Sequence, residues 1–194
     1  MVPRRKPLRY VIGISGASGA IYGIRTLEVL KFLGAETHVI VSQWGLKNIE
    51  IETGKKLDYI SSLCTKLYSN DSLAAPVSSG SFLHSGMMIV PCSMKTLASI
   101  GNGQDDTLIS RAAGVTMKES RRLVVVPRET PLSRIHLTNM LKLAEAGAVI
   151  LPAMPGFYQK PSSISDIIDH LVGKILDQFE IAHNLSVRWG YAQK

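Results

Sequence analysis

The chain has 194 residues, of which 45% are hydrophobic and 19% are charged, and its formal net charge is +7. This composition is typical of a globular protein, and the length suits one domain with a sizeable core better than two. No apolar run approaches the ~20 residues of a membrane helix, and no aromatic side chains interleave with the basic ones as in single-strand binders. We therefore expect a soluble, cytoplasmic protein without membrane or nucleic-acid partners. Residues 1–8 are predicted to be a flexible basic tail, and residues 9–190 one domain.

The first half of the chain alternates short apolar segments with helical patterns. The apolar run Arg9 to Ser15 is partly β-branched and closed by glycine, which predicts a buried strand. The predicted elements that follow are a helix at 19–33, a strand at 36–41, helices at 44–52 and 57–67, and a Ser-, Gly- and Ala-rich loop at 70–85.

The second half repeats the alternation. The predicted elements are a strand at 86–90, helices at 93–100 and 107–119, a strand at 123–126, a helix at 133–146, a strand at 148–151 and a helix at 163–179. The helix at 133–146 is expected to bury one face, formed by Leu137, Met140, Leu141 and Ala144. The last helix has the clearest apolar periodicity, with Ser162 or Ser163 available as its cap and Asp166 in its first turn.

Strands that alternate with helices and read as continuous apolar runs indicate an α/β fold with a parallel sheet covered on both faces. Ligands of such sheets bind beyond the carboxyl ends of the strands. The unusual polar and glycine residues of this sequence follow the predicted strands directly, so we expect the functional site at that edge.

The glycine-rich segment Gly13–Gly19, GISGASG, joins the first strand to the first helix. Small residues let the backbone approach a ligand, and the helix start offers free N–H groups to an anion. An ordinary strand-to-helix turn is the alternative interpretation. The spacing is not that of a dinucleotide motif, and the second strand ends in Val41 and Ser42 without an acidic residue for a ribose. A mononucleotide such as FMN fits this pattern better.

A second polar cluster is predicted around the strand at 123–126. Its members come from the end of that strand, the preceding helix and a proline-rich loop: Arg128, Glu129, Arg111, Lys118, Tyr158 and Lys160. Several cations with a phenol and a carboxylate suit a second phosphate beside a proton donor or acceptor. A structural ion pair between Arg128 and Glu129 is the alternative.

Other chemistry is less well supported by the sequence. The five histidines are scattered without ligand spacing, so no metal is predicted. The two cysteines, Cys64 and Cys92, do not make a disulfide framework, and Cys92 is expected to be a buried small residue and not a nucleophile.

Taken together, the motifs resemble the UbiX/Pad1 family of flavin prenyltransferases. The matching strings are GISGASGAIYGIR, PCSMKTLA, RAAGVTMKE, RRLVVVPRETPL, IHLTNMLKL, GAVILPAMPGFYQKP and RWG, which span about residues 10–190. The resemblance implies a Rossmann-like three-layer flavoprotein fold and a homo-oligomer, a dodecamer, with active sites between subunits. It also implies transfer of a dimethylallyl group from dimethylallyl monophosphate to reduced FMN without a metal, giving the prenylated FMN that UbiD-type decarboxylases use.

The resemblance also assigns roles to residues of this chain. It implies that FMN is held by Gly16, Ala17, Ser18, Ser42, Ser93, Thr96 and Arg111. Ser18 and Glu52 would lie near the reacting nitrogen, with Glu52 handling its proton and Glu129 passing a proton to the departing phosphate. The prenyl phosphate would be held by Lys118, Arg128, Glu129 and Tyr158, with Trp189 closing the pocket.

Three positions depart from the family pattern. Lys174 stands where many members carry arginine, and it keeps the charge of a phosphate ligand without the two-pronged fork. Ser72 replaces a tryptophan of the prenyl pocket, and Gly114 replaces an aspartate. Two other functions remain as alternatives: an FMN-dependent decarboxylase of the same fold acting on a cysteinyl peptide, and a non-catalytic flavin-binding subunit of an aromatic acid decarboxylase.

Overall fold

A computed structural model of the chain describes residues 8–185. Residues 1–7 of the predicted tail and Trp189 lie outside the described part. Strands and helices alternate within it. The strands are β1 (Arg9–Ile14), β2 (Glu36–Val41), β3 (Lys66–Ser69), β4 (Gly86–Cys92), β5 (Arg122–Pro127) and β6 (Val149–Ile150). The helices are α1 (Ala20–Phe32), α2 (Gln43–Thr53), α3 (Leu57–Leu63), α4 (Met94–Gly101), α5 (Leu108–Lys118), α6 (Arg134–Glu145) and α7 (Ile164–Asp177).

The strands form one parallel sheet in the order β3-β2-β1-β4-β5-β6. The chain moves outward from β1 to β3, then returns to pair β4 on the other side of β1. Connections that leave β1 and β4 in opposite directions open a crevice beyond their carboxyl ends, where ligands of this architecture bind. The expectation of a Rossmann-like, three-layer α/β fold is confirmed.

The core lies on both faces of this sheet, since the side chains of each strand alternate between them. On one face, Ile12 and Ile14 of β1 pack in a cluster with α1 and the buried side of α7. On the other face, Val11 of β1 packs in a second cluster with α4 and α5. Both clusters contain fully buried aliphatic side chains, so the sheet is a rigid base for its carboxyl edge.

Three predicted elements differ from the observed ones. The predicted helix at 57–67 ends at Leu63, and Lys66–Ser69 form the edge strand β3 beside β2. The loop at 70–85 contains a short 3-10 turn at Pro76–Ser78. In α6 the buried side chains are Asn139 and Leu143, whereas two residues of the predicted inward face, Leu137 and Leu141, are 51% and 58% exposed.

The last helix follows the prediction closely. α7 begins after Ser163, whose hydroxyl accepts a hydrogen bond from the Asp166 backbone N–H, and the Asp166 side chain bonds back to the backbone of the cap. This reciprocal pair satisfies two of the backbone donors that a helix start leaves without partners. No helix in residues 8–185 has the length and apolarity to cross a bilayer.

Candidate functional site

A large cleft of about 1150 Å³ opens at the carboxyl edge of the sheet. The loops that follow β1, β2, β3 and β4 form its walls. Its lining includes Gly16, Ser42, Trp44, Ser93, Thr96 and Thr107. Four of the seven residues predicted to hold FMN therefore meet in one cavity, namely Gly16, Ser42, Ser93 and Thr96.

Three helices begin at this cleft, and each is capped by a hydroxyl side chain that lines it. Ser42 accepts a hydrogen bond from the Gly45 N–H at the start of α2, at 3.0 Å. Ser93 does the same for Thr96 in α4, and Thr107 for Ser110 in α5, both at 3.3 Å. Helix starts carry partial positive charge, so their convergence makes this end of the cleft suitable for a phosphate group.

A flat wall adjoins these helix starts. The Trp44 side chain is 62% exposed within the cleft, with the Lys47 ammonium 4.6 Å from its ring centroid. Gly16 lies directly against it, because a Cβ added to Gly16 would approach the Trp44 Cβ to 2.5 Å. Only glycine allows this approach. A hydroxyl-lined cleft with a flat aromatic wall and three helix starts fits FMN, with its phosphate, sugar-like chain and planar ring.

The start of α1 is occupied by a side chain of the protein itself. Gly19 takes a left-handed conformation (φ 98°) and offers no capping side chain. Instead, Glu52 at the end of α2 accepts hydrogen bonds from the backbone N–H groups of Gly19 and Ala20, each at 2.9 Å. Ser15 is buried, donating to the Pro91 carbonyl at 3.2 Å. Glu52 therefore supplies a negative charge at the helix start where the sequence predicts a phosphate, and the phosphate role of this loop stays a prediction.

A second cavity, of about 500 Å³, lies on the other side of the Gly16–Ser18 turn. Its polar lining is Ser18, Glu52 and Arg128, and its apolar lining includes Ile164 and Ile167 of α7. Two predicted catalytic side chains thus share a cavity with a predicted phosphate ligand. Ala17 is buried beneath the same turn.

Arg128 follows β5 directly and is fixed at its backbone by a 3.4 Å hydrogen bond to the Cys92 carbonyl. Its Nε is buried and has no hydrogen-bond partner among residues 8–185. An unsatisfied buried donor on a charged group is costly, and an anion in the cavity would satisfy it. Glu129 next to it is exposed and accepts from the Thr130 N–H at 3.1 Å. Arg128 and Glu129 form no ion pair with each other in the described part, so the structural alternative for this pair is wrong.

The remaining members of the second cluster lie elsewhere in the chain. Tyr158 contacts His170 of α7, with its hydroxyl 3.5 Å from the His170 Nε2. Lys174, one turn further along α7, is exposed and lies 3.9 Å from Asp177. These residues do not line the cavity of Arg128.

Arg111 and Lys118 of α5 also lie apart from that cavity. Arg111 forms an ion pair with Asp105 at 2.8 Å and donates to the Ser78 carbonyl at 3.3 Å. Lys118 ends α5 just before β5 begins and pairs with Glu119 at 2.6 Å. Arg128 comes after the other end of β5, so Lys118 and Arg128 flank opposite edges of the sheet. The predicted second cluster is therefore not assembled within one chain.

Sequence reasoning missed three residues of these surfaces: Trp44, Thr107 and His170. Thr107 had a readable signal, since a threonine before a helical pattern with serine three residues later is a capping pattern. Trp44 and His170 had none, because their places depend on contacts with Gly16 and Tyr158. Cys92 is fully buried, and burial raises the pKa of its thiol to about 12, which excludes a thiolate nucleophile at neutral pH.

The departure at Gly114 has a structural reason. A Cβ added there would lie 3.1 Å from the Oδ1 of Asp105. Asp105 already pairs with Arg111, so an aspartate at position 114 would place a second carboxylate beside the first. Nothing in the structure explains Ser72.

Comparison with known proteins places this chain in a family. The flavoprotein family profile matches residues 3–184. A probable UbiX-like flavin prenyltransferase from Streptomyces sp. (strain D7) is 50% identical over 183 residues, which cover 94% of this chain and 92% of that protein.

Two solved structures match closely. AnUbiX (PadA1), crystallised with FMN and dimethylallyl pyrophosphate, is 48% identical with a TM-score of 0.94, and the match covers 97% of this chain and all of that one. A dodecameric FMN-dependent UbiX-like decarboxylase from Escherichia coli O157:H7 is 43% identical with a TM-score of 0.92, covering 94% of this chain and all of that one. This chain belongs to the flavoprotein family and, within it, to the UbiX-like flavin prenyltransferases.

Proposed function

We propose that this chain transfers a dimethylallyl group from dimethylallyl monophosphate to reduced FMN, giving prenylated FMN. The observation that carries the proposal is the pairing of two cavities across one turn. The larger one fits FMN, and the smaller one joins Ser18 and Glu52 to the unsatisfied guanidinium of Arg128. Two reactants that each carry a phosphate would meet at this turn.

The residues of the larger cavity bind and orient the flavin. We assign its phosphate to the starts of α2, α4 and α5, where Ser42, Ser93 and Thr96 add hydroxyl groups. Gly16 provides close backbone approach, and Trp44 provides the flat wall. Ala17, buried next to Gly16, is assigned to FMN by family resemblance. Reduced FMN supplies the electron-rich ring nitrogen and ring carbon that take the prenyl group.

The residues of the smaller cavity handle charge and protons. Two backbone hydrogen bonds orient the Glu52 carboxylate beside Ser18, from where it would take the proton of the reacting nitrogen. Arg128 would hold the donor phosphate as it leaves, and the exposed carboxyl of Glu129 would pass it a proton. The Arg128 guanidinium would stabilise the negative charge that develops on the departing phosphate.

We further propose that the chain works as a homo-oligomer, a dodecamer, whose neighbouring copies complete the site. Arg111, Lys118, Tyr158 and Lys174 do not reach the Arg128 cavity within one chain, so copies from the assembly would bring them there. The outer face of α6 supports an assembly, because its exposed apolar side chains would gain from burial. They are Ile135, Leu137 and Leu141.

Trp189 is assigned to the pocket of this assembly only by family resemblance. We assign the product to a UbiD-type decarboxylase and the chain to the cytoplasm on the same ground.

An anaerobic assay tests the proposal. The chain is mixed with reduced FMN and, in separate reactions, with dimethylallyl monophosphate, dimethylallyl diphosphate or no donor. We expect a flavin heavier by one dimethylallyl group with the monophosphate and none without donor. If prenylated flavin formed only in the reaction with the diphosphate, the donor would be dimethylallyl diphosphate and not the monophosphate. Unchanged FMN in every reaction would instead favour a decarboxylase or a flavin-binding subunit.

A further inference from the structure

Tyr22, in the first turn of α1, lines the smaller cavity and is not used by the chemistry proposed above. It shares that cavity with Ser18, Glu52 and Arg128. The phenol that the sequence predicts for this cluster, Tyr158, does not line the cavity. One chain therefore does bring a phenol, a guanidinium and a carboxylate to one cavity, but the phenol is that of Tyr22.

Gly19 determines where the Tyr22 ring lies. A Cβ added to Gly19 would lie 2.9 Å from the Cδ2 and 3.1 Å from the Cε2 of Tyr22, so the ring packs directly against the bare backbone of the glycine. The Tyr22 N–H donates to the Gly19 carbonyl at 3.0 Å, and the Gly19 N–H donates to Glu52 at 2.9 Å. The ring is thus fixed beside the same backbone that orients the Glu52 carboxylate.

The Tyr22 hydroxyl is available to a ligand. The side chain is partly buried against the core cluster of α1 and α7, and its hydroxyl has no hydrogen-bond partner among residues 8–185. Burial raises the pKa of this phenol above its ordinary value of 10, so the group keeps its proton at neutral pH. It therefore has an O–H to donate.

Two donors of this cavity consequently lack an acceptor in the described part of the chain, the Tyr22 hydroxyl and the buried Nε of Arg128. The one carboxylate that lines the cavity, Glu52, instead accepts from the backbone N–H groups of Gly19 and Ala20. A ligand with several acceptor oxygens and negative charge would satisfy both donors.

We propose that the Tyr22 hydroxyl is a ligand of the donor phosphate, together with the Arg128 guanidinium. Phosphate has several strong acceptor oxygens, so the phenol O–H and the guanidinium N–H can each donate to one of them. The inference rests on the proposed function, because it takes the prenyl donor as the ligand of this cavity.

The test removes the hydroxyl and keeps the ring, in Tyr22→Phe. The matched control is Tyr59→Phe, since the Tyr59 hydroxyl donates to Glu28 at 2.7 Å and lies outside the cavity. The full chain is loaded with FMN, and its affinities for dimethylallyl monophosphate and for inorganic phosphate are measured by calorimetry. KM for the donor is measured in the prenylation assay.

We expect Tyr22→Phe to bind both dimethylallyl monophosphate and inorganic phosphate about tenfold more weakly, the size of one hydrogen bond to a charged group. KM for the donor should rise by a similar factor, and FMN affinity should stay unchanged. The Tyr59 control should bind both ligands like the wild type.

Unchanged affinity of Tyr22→Phe for both ligands would overturn the inference. A loss for dimethylallyl monophosphate alone would also overturn it, because the hydroxyl would then contact the prenyl chain and not the phosphate. An equal loss in the Tyr59 control would show a general effect of removing a tyrosine hydroxyl, with the same consequence.

The calorimetric comparison does not depend on turnover. A wild-type chain that binds donor and phosphate but forms no prenylated flavin would refute the proposed function, while the two affinities would still decide the role of Tyr22. A wild-type chain that binds neither ligand would overturn the inference.

Discussion

At the scale of single residues, Glu52 joins local structure to chemistry. It caps the start of α1 and lines the smaller cavity with Ser18. Glu52→Gln keeps a side-chain oxygen for the backbone N–H groups but removes the proton acceptor. We expect kcat for prenylation to fall by ~10²-fold or more, as is typical when a general base is lost, with FMN affinity nearly unchanged. The control is Glu50→Gln, an exposed change on the same helix. If the Glu52→Gln variant kept full prenylation activity, Glu52 would not be the proton acceptor.

Gly114 gives a second residue-scale prediction, on stability. Alanine in a helix interior is favoured over glycine by about 1 kcal/mol, and the partly exposed Asp105 side chain has room to yield to the added methyl group. Gly114→Ala should therefore raise the free energy of unfolding. Gly114→Asp should be less stable than Gly114→Ala by about 1 kcal/mol, because two carboxylates then adjoin, and salt should narrow the gap. Urea unfolding at low and high salt measures both, and a more stable aspartate variant would contradict the account.

The sequence could reveal a site residue when its contacts are with residues nearby in the chain, and could not when they are distant. The caps Ser42 and Ser93 follow predicted strands and precede helical patterns, so position alone marked them. The contact between Glu52 and Gly19 joins residues 33 positions apart. No local pattern encodes this contact, so the sequence alone does not reveal that Glu52 lies on the start of α1.

At the scale of elements, α1 and α7 are joined by a two-pronged ion pair. Arg25 donates to the two carboxylate oxygens of Asp169 at 2.6 and 3.1 Å. Both side chains are partly exposed, at 35% and 23%, so solvent screens part of the interaction. We expect Asp169→Asn to lower the free energy of unfolding by about 1 kcal/mol. Arg25→Lys should cost a similar amount, because it keeps the charge and loses the fork. Urea unfolding that leaves both variants at the wild-type midpoint would show the pair to be neutral.

Helices and strands could be predicted from the sequence wherever their buried faces produce a regular spacing of apolar residues. Strands β1, β2, β4 and β5 are almost entirely buried. β1, β4 and β5 appear as apolar runs, β2 ends in one, and α7 has one long apolar stripe. The edge strand β3 is only partly buried, so Lys66–Ser69 carried no such signal and were added to the preceding helix. In α6, Leu137 and Leu141 of the predicted apolar face are exposed, whereas Met140 packs against the core. The periodicity alone does not reveal which of these side chains is covered.

At the scale of the whole molecule, two histidines make stability depend on pH, namely the partly buried His84 and the buried His170. Burial is the main cause that lowers the pKa of His84 and of His170 below the ordinary value of 6.5. The unfolded chain therefore binds more protons than the folded one as the pH falls through that value, and stability falls with it. Glu36, whose pKa is lowered from 4.5 chiefly by its hydrogen bond to His38, adds a further loss at lower pH.

Urea unfolding at about pH 7.5 and about pH 5.5 measures this dependence. We expect a lower midpoint at the acidic pH and a smaller difference in His84→Asn, whose amide can still bond the Gly86 carbonyl. A midpoint that does not change with pH in the wild type would contradict the prediction.

The central claim is that flavin and prenyl donor meet across the turn formed by Gly16 and Ser18. A crystal structure of the chain soaked anaerobically with FMN and dimethylallyl monophosphate tests it most directly. We predict the flavin phosphate at the starts of α2, α4 and α5, and the donor phosphate on the Arg128 guanidinium. A donor phosphate bound elsewhere, with the Arg128 Nε still unsatisfied, would contradict the account.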